Sequence, residues 1–389
     1  MPHTCFARPV FLMSFLSASM MTSVVAETVD VWFGTKTSRG GESRGIYHAA
    51  LNTHNGTLTK PTLAAEVNSP GFLALHPDGK TLYVTGSPSG GDQVSAYRVQ
   101  GPAGKATLEL INSVDTGDGG AAHLSTDRAG TVLLSAQYGG GSTSLYELAD
   151  DGEITRRVDV KSHAELLPQA GSGVVAKRQD RPHAHWTGTS PDDRFAFVPD
   201  LGMDKVVIWK LDPQTPAITH HGFGQCPAGA GPRHMKFSPD GSRIYVLNEL
   251  ALSITVFEYD SATGTMTAGQ TIPTLSEETK AKETSNSASE IRVHPSGKFV
   301  YSANRGHDSI SVFAVDAAGT LSRIEVEPIR GGWPRNFNID PTGQWLIAAG
   351  RDSHTATVFK IEPESGELTF IRETQTVPTP ICVVFGKLE

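Results

Sequence analysis

The chain is poor in cysteine, in clustered positive charge and in long apolar runs, and each shortage removes a class of protein. Three cysteines in 389 residues are too few for a disulfide scaffold. Lys and Arg number 33 against 41 Asp and Glu, a formal net charge of −8, and no basic block of five occurs. That balance argues against a nucleic-acid partner. No segment sustains a 3.6-residue apolar period, and after residue 27 none is apolar over a bilayer-spanning length. No Gly-x-Ser-x-Gly elbow is present, nor a phosphate-binding loop or dinucleotide fingerprint opening a helix. The sequence thus implies no cofactor.

Turn residues are plentiful instead. There are 40 Gly and 24 Pro, which suits many short strands better than long helices. Six stretches share one pattern: SPGFLALHPDGKTLYV at 69, AAHLSTDRAGTVLLSA at 121, HAHWTGTSPDDRFAFV at 183, GPRHMKFSPDGSRIYV at 231, ASEIRVHPSGKFVYSA at 288 and WPRNFNIDPTGQWLIA at 333. Each reads as strand, tight turn, strand, and another β-rich run follows. The turn anchors Pro77, Asp127, Pro191, Pro239, Pro295 and Pro341 lie 50, 64, 48, 56 and 46 residues apart. An all-strand period near fifty predicts a β-propeller. The N-terminal remainder supplies three strands without a first, near 29, 45 and 58. TPICVVFG at 379 supplies a first strand without partners. Joined, they complete a seventh blade and remove the exposed sheet edge. The expected fold is all-β, a seven-bladed propeller closed by strands from both termini and spanning residues 27–389. The longest spacing contains residues 149–182, which read as a surface insertion.

Residues 1–26 differ from the rest. Arg8 precedes VFLMSFLSASMMTSVVA, which ends with small residues at Val24 and Ala26, the pattern of an export signal. An exported protein, periplasmic or secreted and free of the membrane once the signal is removed, is the expectation. Cys5 would leave with that segment. Cys226 and Cys382 would remain, and their separation in sequence leaves pairing open.

The repeat is also a ruler, because equivalent slots in successive blades point to equivalent places. The start of the inner strand carries Gly71, Ala121, His185, Arg233, Ser289 and Arg335, followed by Phe72, Ala122, Trp186, His234, Glu290 and Asn336. The end of the second strand carries Gly86, Ala136, Asp200, Asn248, Asn304 and Gly350, followed by Ser87, Gln137, Leu201, Glu249, Arg305 and Arg351. All these slots lie at one mouth of the channel. Two blades place small residues there, and the next four place charged and polar ones. Burying such groups is costly unless they pair or meet a ligand. Arg233, Arg305 and Arg335 beside His185, Glu249 and Glu290 suggest a pocket for a small, oxygen-rich anion, since guanidinium donors hold carboxylates and phosphates by paired bonds. His183 and His185, two residues apart, are expected on one strand face. Asp200, Asn248 and Asn304 fit either ligand contacts or turns at strand ends. Glu249 and Arg305 fit either a site or an inter-blade ion pair. Three arginines would repel a divalent metal, so none is expected. Arg351 follows Gly350 instead of Asn and is expected to point outward.

The motifs PHAH at 182, PDLGMDKV at 199, GPRHMKFSPDG at 231, YVLNEL at 245, ASEIRVHPSGKFVYSANRGHDSISVF at 288 and WPRNF at 333 resemble the seven-bladed lactonase propellers. That family includes the propeller type of 6-phosphogluconolactonase and the carboxymuconate lactonising enzymes. The resemblance covers residues 29–386. It implies a site at one end of the channel, in which a histidine, two arginines and a glutamate act on a lactone. His185, Arg233, Glu249 and Arg305 occupy the matching motifs as the catalytic set. His183, His234, Glu290, Arg335, Asn336, Asp200 and Asn304 are the expected substrate-binding residues. The implied activity is hydrolysis of an anionic sugar-acid lactone in carbohydrate metabolism. The alternatives are a muconate-type cycloisomerase and a non-catalytic exported propeller that binds a ligand or protein. Oligomeric state is left open.

Overall fold

Each repeat folds as a four-stranded antiparallel sheet, and seven such sheets are present in a computed structural model of the chain. The structure describes residues 1–3, 28–38, 41–283 and 285–388. The expected export signal lies outside these residues except for its first three. The inner strands of successive sheets touch one another in ring order, except between the third and fourth blades, where the second strand Phe195–Asp200 meets the inner strand Pro232–Phe237. In the closing sheet Pro380–Phe385 pairs with Thr28–Thr35, which continues to Gly45–Asn52 and Thr62–Glu66. Val31 faces Phe385 and Phe33 faces Val383 across the seam, so the two ends share one sheet as the sequence predicts.

Second strands are buried along most of their length because both faces of each blade pack on a neighbour, and their apolar run gives way to polar residues at the mouth. Phe195–Asp200, Phe299–Arg305 and Trp345–Gly350 are buried at every position. Fourth strands such as Thr265–Pro273 alternate toward solvent. Between the third and fourth blades Trp186, Phe197, Met235, Ile244 and Phe257 form one apolar cluster. Burying each such side chain contributes roughly 1.5–3 kcal/mol. At the far end of the blades the Pro-Asp-Gly segments are tight turns. Gly241 has φ of 72° and donates to Ser238 O at 2.9 Å, a conformation glycine enters without strain.

Two details place the site. The register of the inner strands shifts between Ala121 and His123, Pro232 and His234, Ala288 and Ile291, and Pro334 and Asn336. These irregularities all sit at the mouth. A bulge breaks the two-residue alternation and lets consecutive side chains face the same way. In the third blade the inner strand is shorter still, with only Gly188–Thr189 in regular pairing and one isolated bridge between Ala184 and Asp200. The Asp200 side chain takes the His183 N–H at 2.7 Å, so a side chain replaces a ladder bond there. His183 and His185 therefore sit on an irregular extended segment, not on the regular strand expected.

The expected surface insertion is also revised. Ile154–Ser162 is the outer strand of the second blade, and His163–Leu166 is a 3₁₀ turn. Only residues 167–182 form a free-running loop, and part of it is buried. Cys226 and Cys382 are both buried and unpaired. Among the described residues no helix is long and apolar enough to cross a membrane.

Candidate active site

Two adjoining cavities occupy the predicted mouth. An outer one of about 640 Å³ is lined by Tyr138, Arg178, Glu249, Arg305 and Trp333 among others. An inner one of about 200 Å³ is lined by Phe72, Arg233, His234, Asn336 and Ile381 among others. Ala121, Ala122, His185 and Arg335 line both. The consecutive pairs Ala121–Ala122, Arg233–His234 and Arg335–Asn336 all reach the inner cavity, as the bulges allow. The alanines of the second blade leave the space that larger residues would fill.

One carboxylate organises the charge. Glu249 Oε2 accepts from Arg233 Nε at 2.8 Å and lies 3.2 Å from Arg305 Nη2, while Oε1 accepts from Arg178 Nη2 at 2.6 Å. Burial alone would raise the Glu249 carboxyl, but Arg305 and Arg233 outweigh it and hold the group far below the usual carboxylate range. Burial, reinforced by Arg305, lowers the Arg233 guanidinium to about 9, so it still carries its proton at neutral pH. Arg233 Nη1 also donates to Ser289 O and to His234 Nε2. With Nε2 accepting, His234 Nδ1 is the protonated nitrogen and donates to Glu290 Oε1 at 3.1 Å. Glu290 Oε2 accepts from Asn336 Nδ2, and Asn336 Oδ1 accepts from Val383 N at 2.9 Å. An unbroken chain thus runs from Glu249 through Arg233, His234 and Glu290 to Asn336.

His185 stands apart from this chain. Among the described residues neither of its ring nitrogens makes a hydrogen bond, and Nδ1 is buried. Burial, with Arg233 and His234 adding to it, pushes the imidazole well below its ordinary pKa of 6.5. A neutral ring with a free lone pair lies on the wall of both cavities. Arg335 is the other unengaged group. Its side chain makes no hydrogen bond or ion pair among the described residues, and burial followed by Arg305 brings it to about 10, still cationic.

The catalytic residues expected from sequence, His185, Arg233, Glu249 and Arg305, converge on this mouth, together with His234, Arg335 and Asn336. Four other placements differ from expectation. Asp200 is fully buried and faces away from the cavities, accepting from the backbone N–H groups of His183, Gly202 and Met203 and from His163 Nδ1 at 2.7 Å. Asn304 is fully buried too, its Nδ2 donating to Ser309 Oγ and Ser311 Oγ. Glu290 lies behind His234 and Asn336 and lines neither cavity. His183 bonds Tyr138 O at 2.9 Å, stacks on the Tyr138 ring and lines neither cavity. Glu249 also has no hydrogen bond to His185 among the described residues, so it does not orient that ring by direct contact.

Sequence reasoning missed Arg178, Tyr138 and Trp333. Arg178 lies in the loop that breaks the repeat, where slots cannot be counted. Trp333 has φ of 57°, a left-handed conformation disfavoured for a bulky residue, and the guanidiniums of Arg305 and Arg351 lie over its ring at 5.7 and 5.3 Å. The signal for it was the Gly331-Gly332 pair just before an aromatic residue at the mouth. Arg351 itself turns to Asp352, at 2.5 and 2.9 Å, and lines neither cavity.

Comparison with known proteins agrees with this architecture. Residues 30–385 match the family model described as Lactonase, 7-bladed beta-propeller. A 6-phosphogluconolactonase of Bacillus subtilis (strain 168) is 33% identical over 359 residues, covering 91% of this chain and 97% of its own. A 6-phosphogluconolactonase of Formosa agariphila is 32% identical, covering 83% and 90%. Among solved structures a periplasmic gluconolactonase of Pseudomonas aeruginosa superposes with a TM-score of 0.84 at 28% identity, covering 93% of this chain and all of the other.

Proposed function

The chain belongs to the seven-bladed β-propeller lactonase family, and from that premise we propose that it opens an anionic sugar-acid lactone by hydrolysis, in the manner of a 6-phosphogluconolactonase. The observation that carries this is the free, neutral His185 imidazole on the wall shared by two cavities that Arg178, Arg233, Arg305 and Arg335 also line. Water must lose a proton as its oxygen attacks the lactone carbonyl, and His185 is the group able to take it. The carbonyl oxygen then becomes an oxyanion. Arg233 Nη2 has no partner among the described residues and would donate to it. When the tetrahedral intermediate collapses, the ring C–O bond breaks, and the imidazolium returns its proton to the departing alkoxide. Arg305 and Arg335 would hold the substrate's anionic group. His234, Glu290 and Asn336 hold Arg233 in place and leave no ring nitrogen of His234 free for proton transfer.

Export through residues 1–26 belongs to the same proposal, and the similarity to a periplasmic gluconolactonase supports it. A panel of charged and neutral lactones, with products identified, tests the activity. Hydrolysis above the spontaneous rate is expected. No turnover of any lactone would sink the proposal, and decay of a conjugated diacid in its place would identify a cycloisomerase.

The two arginines beside Trp333 provide an internal comparison. Arg305→Ala is expected to raise KM for a charged lactone by about ten- to a hundredfold, the loss of one charge-assisted contact. Arg351→Ala, whose guanidinium is already held by Asp352, is expected to shift KM by less than about threefold. Equal effects in steady-state assays would count against placing Arg305, and not Arg351, at the ligand.

A further inference from the structure

Residues 167–182 belong to no blade strand, yet they bring a guanidinium to the cavity that the blades build. Hydrogen bonds tie the loop to the third blade beside that group. Gln179 is fully buried, and its Nε2 donates to Leu201 O at 2.9 Å and to Asp204 Oδ1 at 2.6 Å, while its Oε1 accepts from Val175 N. Ser172 N donates to Gly202 O at 2.8 Å. Asp204 in turn accepts from Gly229 N and Gly231 N, in the turn leading to Arg233. The anchor of the loop and the approach to the oxyanion arginine are therefore the same carboxylate.

Arg178 differs from the two other arginines on Glu249. Its side chain is 40% exposed, against 3% for Arg233 and 7% for Arg305. Only Nη2 is engaged, with Glu249 Oε1 and, at 3.5 Å, the Tyr138 hydroxyl. Nε and Nη1 have no partner among the described residues. Glu249 offsets one of the three positive charges gathered on it, and Arg335 adds a fourth without a partner. The surplus is cationic. Arg178 lines only the outer cavity, whereas Arg233 lines only the inner one. Glu249 stands between the two, so the unpaired nitrogens of Arg178 are offered on the outer cavity and the unpaired Nη2 of Arg233 on the inner one.

We propose that Arg178, presented by this loop, is a specificity-determining residue that binds the substrate's anionic substituent at the outer end of the site, away from the reacting carbonyl. This rests on the lactonase reading of the same cavity. The test compares wild type, Arg178→Ala and Arg178→Lys on 6-phosphogluconolactone and on uncharged glucono-δ-lactone. Calorimetric binding of the product 6-phosphogluconate is measured alongside. Arg178→Ala is expected to raise KM for the phosphorylated lactone about ten- to a hundredfold while kcat stays within about twofold. Both constants for the neutral lactone should stay within about twofold, and Arg178→Lys should recover part of the loss because it restores charge without the fork. A matching fall in kcat on both lactones would show that Arg178 only positions Glu249 and would overturn the proposal. Unchanged constants on both would overturn it as well. If wild type hydrolyses neither lactone, the lactonase reading fails separately and calorimetry decides. Binding of 6-phosphogluconate that Arg178→Ala weakens at least about tenfold sustains the anion role. Absent binding, or binding indifferent to the substitution, ends it.

Discussion

His185→Ala is expected to lower kcat for lactone hydrolysis by roughly a hundredfold to ten-thousandfold, the usual contribution of a positioned general base. KM should change little, because the ring carries no charge at neutral pH and makes no hydrogen bond that the substitution would break. Folding should survive for the same reason. The ring's contacts are edge-on, 5.4 Å from Tyr138 and 5.3 Å from His234 between centroids. The pH profile gives a second readout. A base works when deprotonated, and burial holds His185 well below 6.5. The kcat/KM of wild type should therefore stay flat through neutral pH and fall only on the acid side, well below 6.5. The residual rate of His185→Ala should lack that limb. A wild-type midpoint at or above 6.5, or an alanine variant at full speed, would remove His185 from the role of base.

The propeller was legible because the strand–turn–strand unit recurs and its turns carry Pro, Asp and Gly at fixed positions. The closing sheet followed from counting, since three strands at one end and one at the other make a blade. Arg233, Glu249, Arg305 and Arg335 were legible because equivalent slots converge on the mouth. The errors have a common physical source. Adjacent residues at a strand end face opposite ways, so Glu249 reaches the cavity while Asn248 turns into its own blade and donates to Ser253 Oγ and Thr255 Oγ1. Asn304 repeats that bond with Ser309 and Ser311. The hydroxyl residues five and seven positions later were the available signal that these amides are structural. Bulges are the opposite case. They bring neighbours such as Arg233 and His234 to one face, which a strict two-residue period does not predict. Arg178 was not legible at all, because the insertion carrying it has no equivalent in the other blades and the ruler stops there.

Glu249→Ala is expected to be far more damaging to the fold than any of the arginine substitutions. It removes the one carboxylate shared by Arg178, Arg233 and Arg305, two of which are almost wholly buried. Breaking a buried ion pair by deleting one partner costs about 3–5 kcal/mol, because the remaining charge keeps its desolvation penalty and loses its compensation. In a chain of this size that corresponds to a fall in Tm on the order of 4–6 °C. Activity should fall with it, since Arg233 would no longer be held by its Nε bond and its free Nη2 would leave the position for the oxyanion. Adding Arg305→Ala to Glu249→Ala removes one of the stranded charges. The double variant is then expected to be more stable than the sum of the two single losses, with a coupling on the order of 1–3 kcal/mol. The vacant centre should also take up a small anion, so sulfate is expected to raise the Tm of Glu249→Ala more than that of wild type. Thermal unfolding of the four proteins, with and without sulfate, makes the comparison. Additive losses and equal sulfate shifts would mean that the guanidiniums do not depend on this carboxylate, and the charge balance assigned to Glu249 would be wrong.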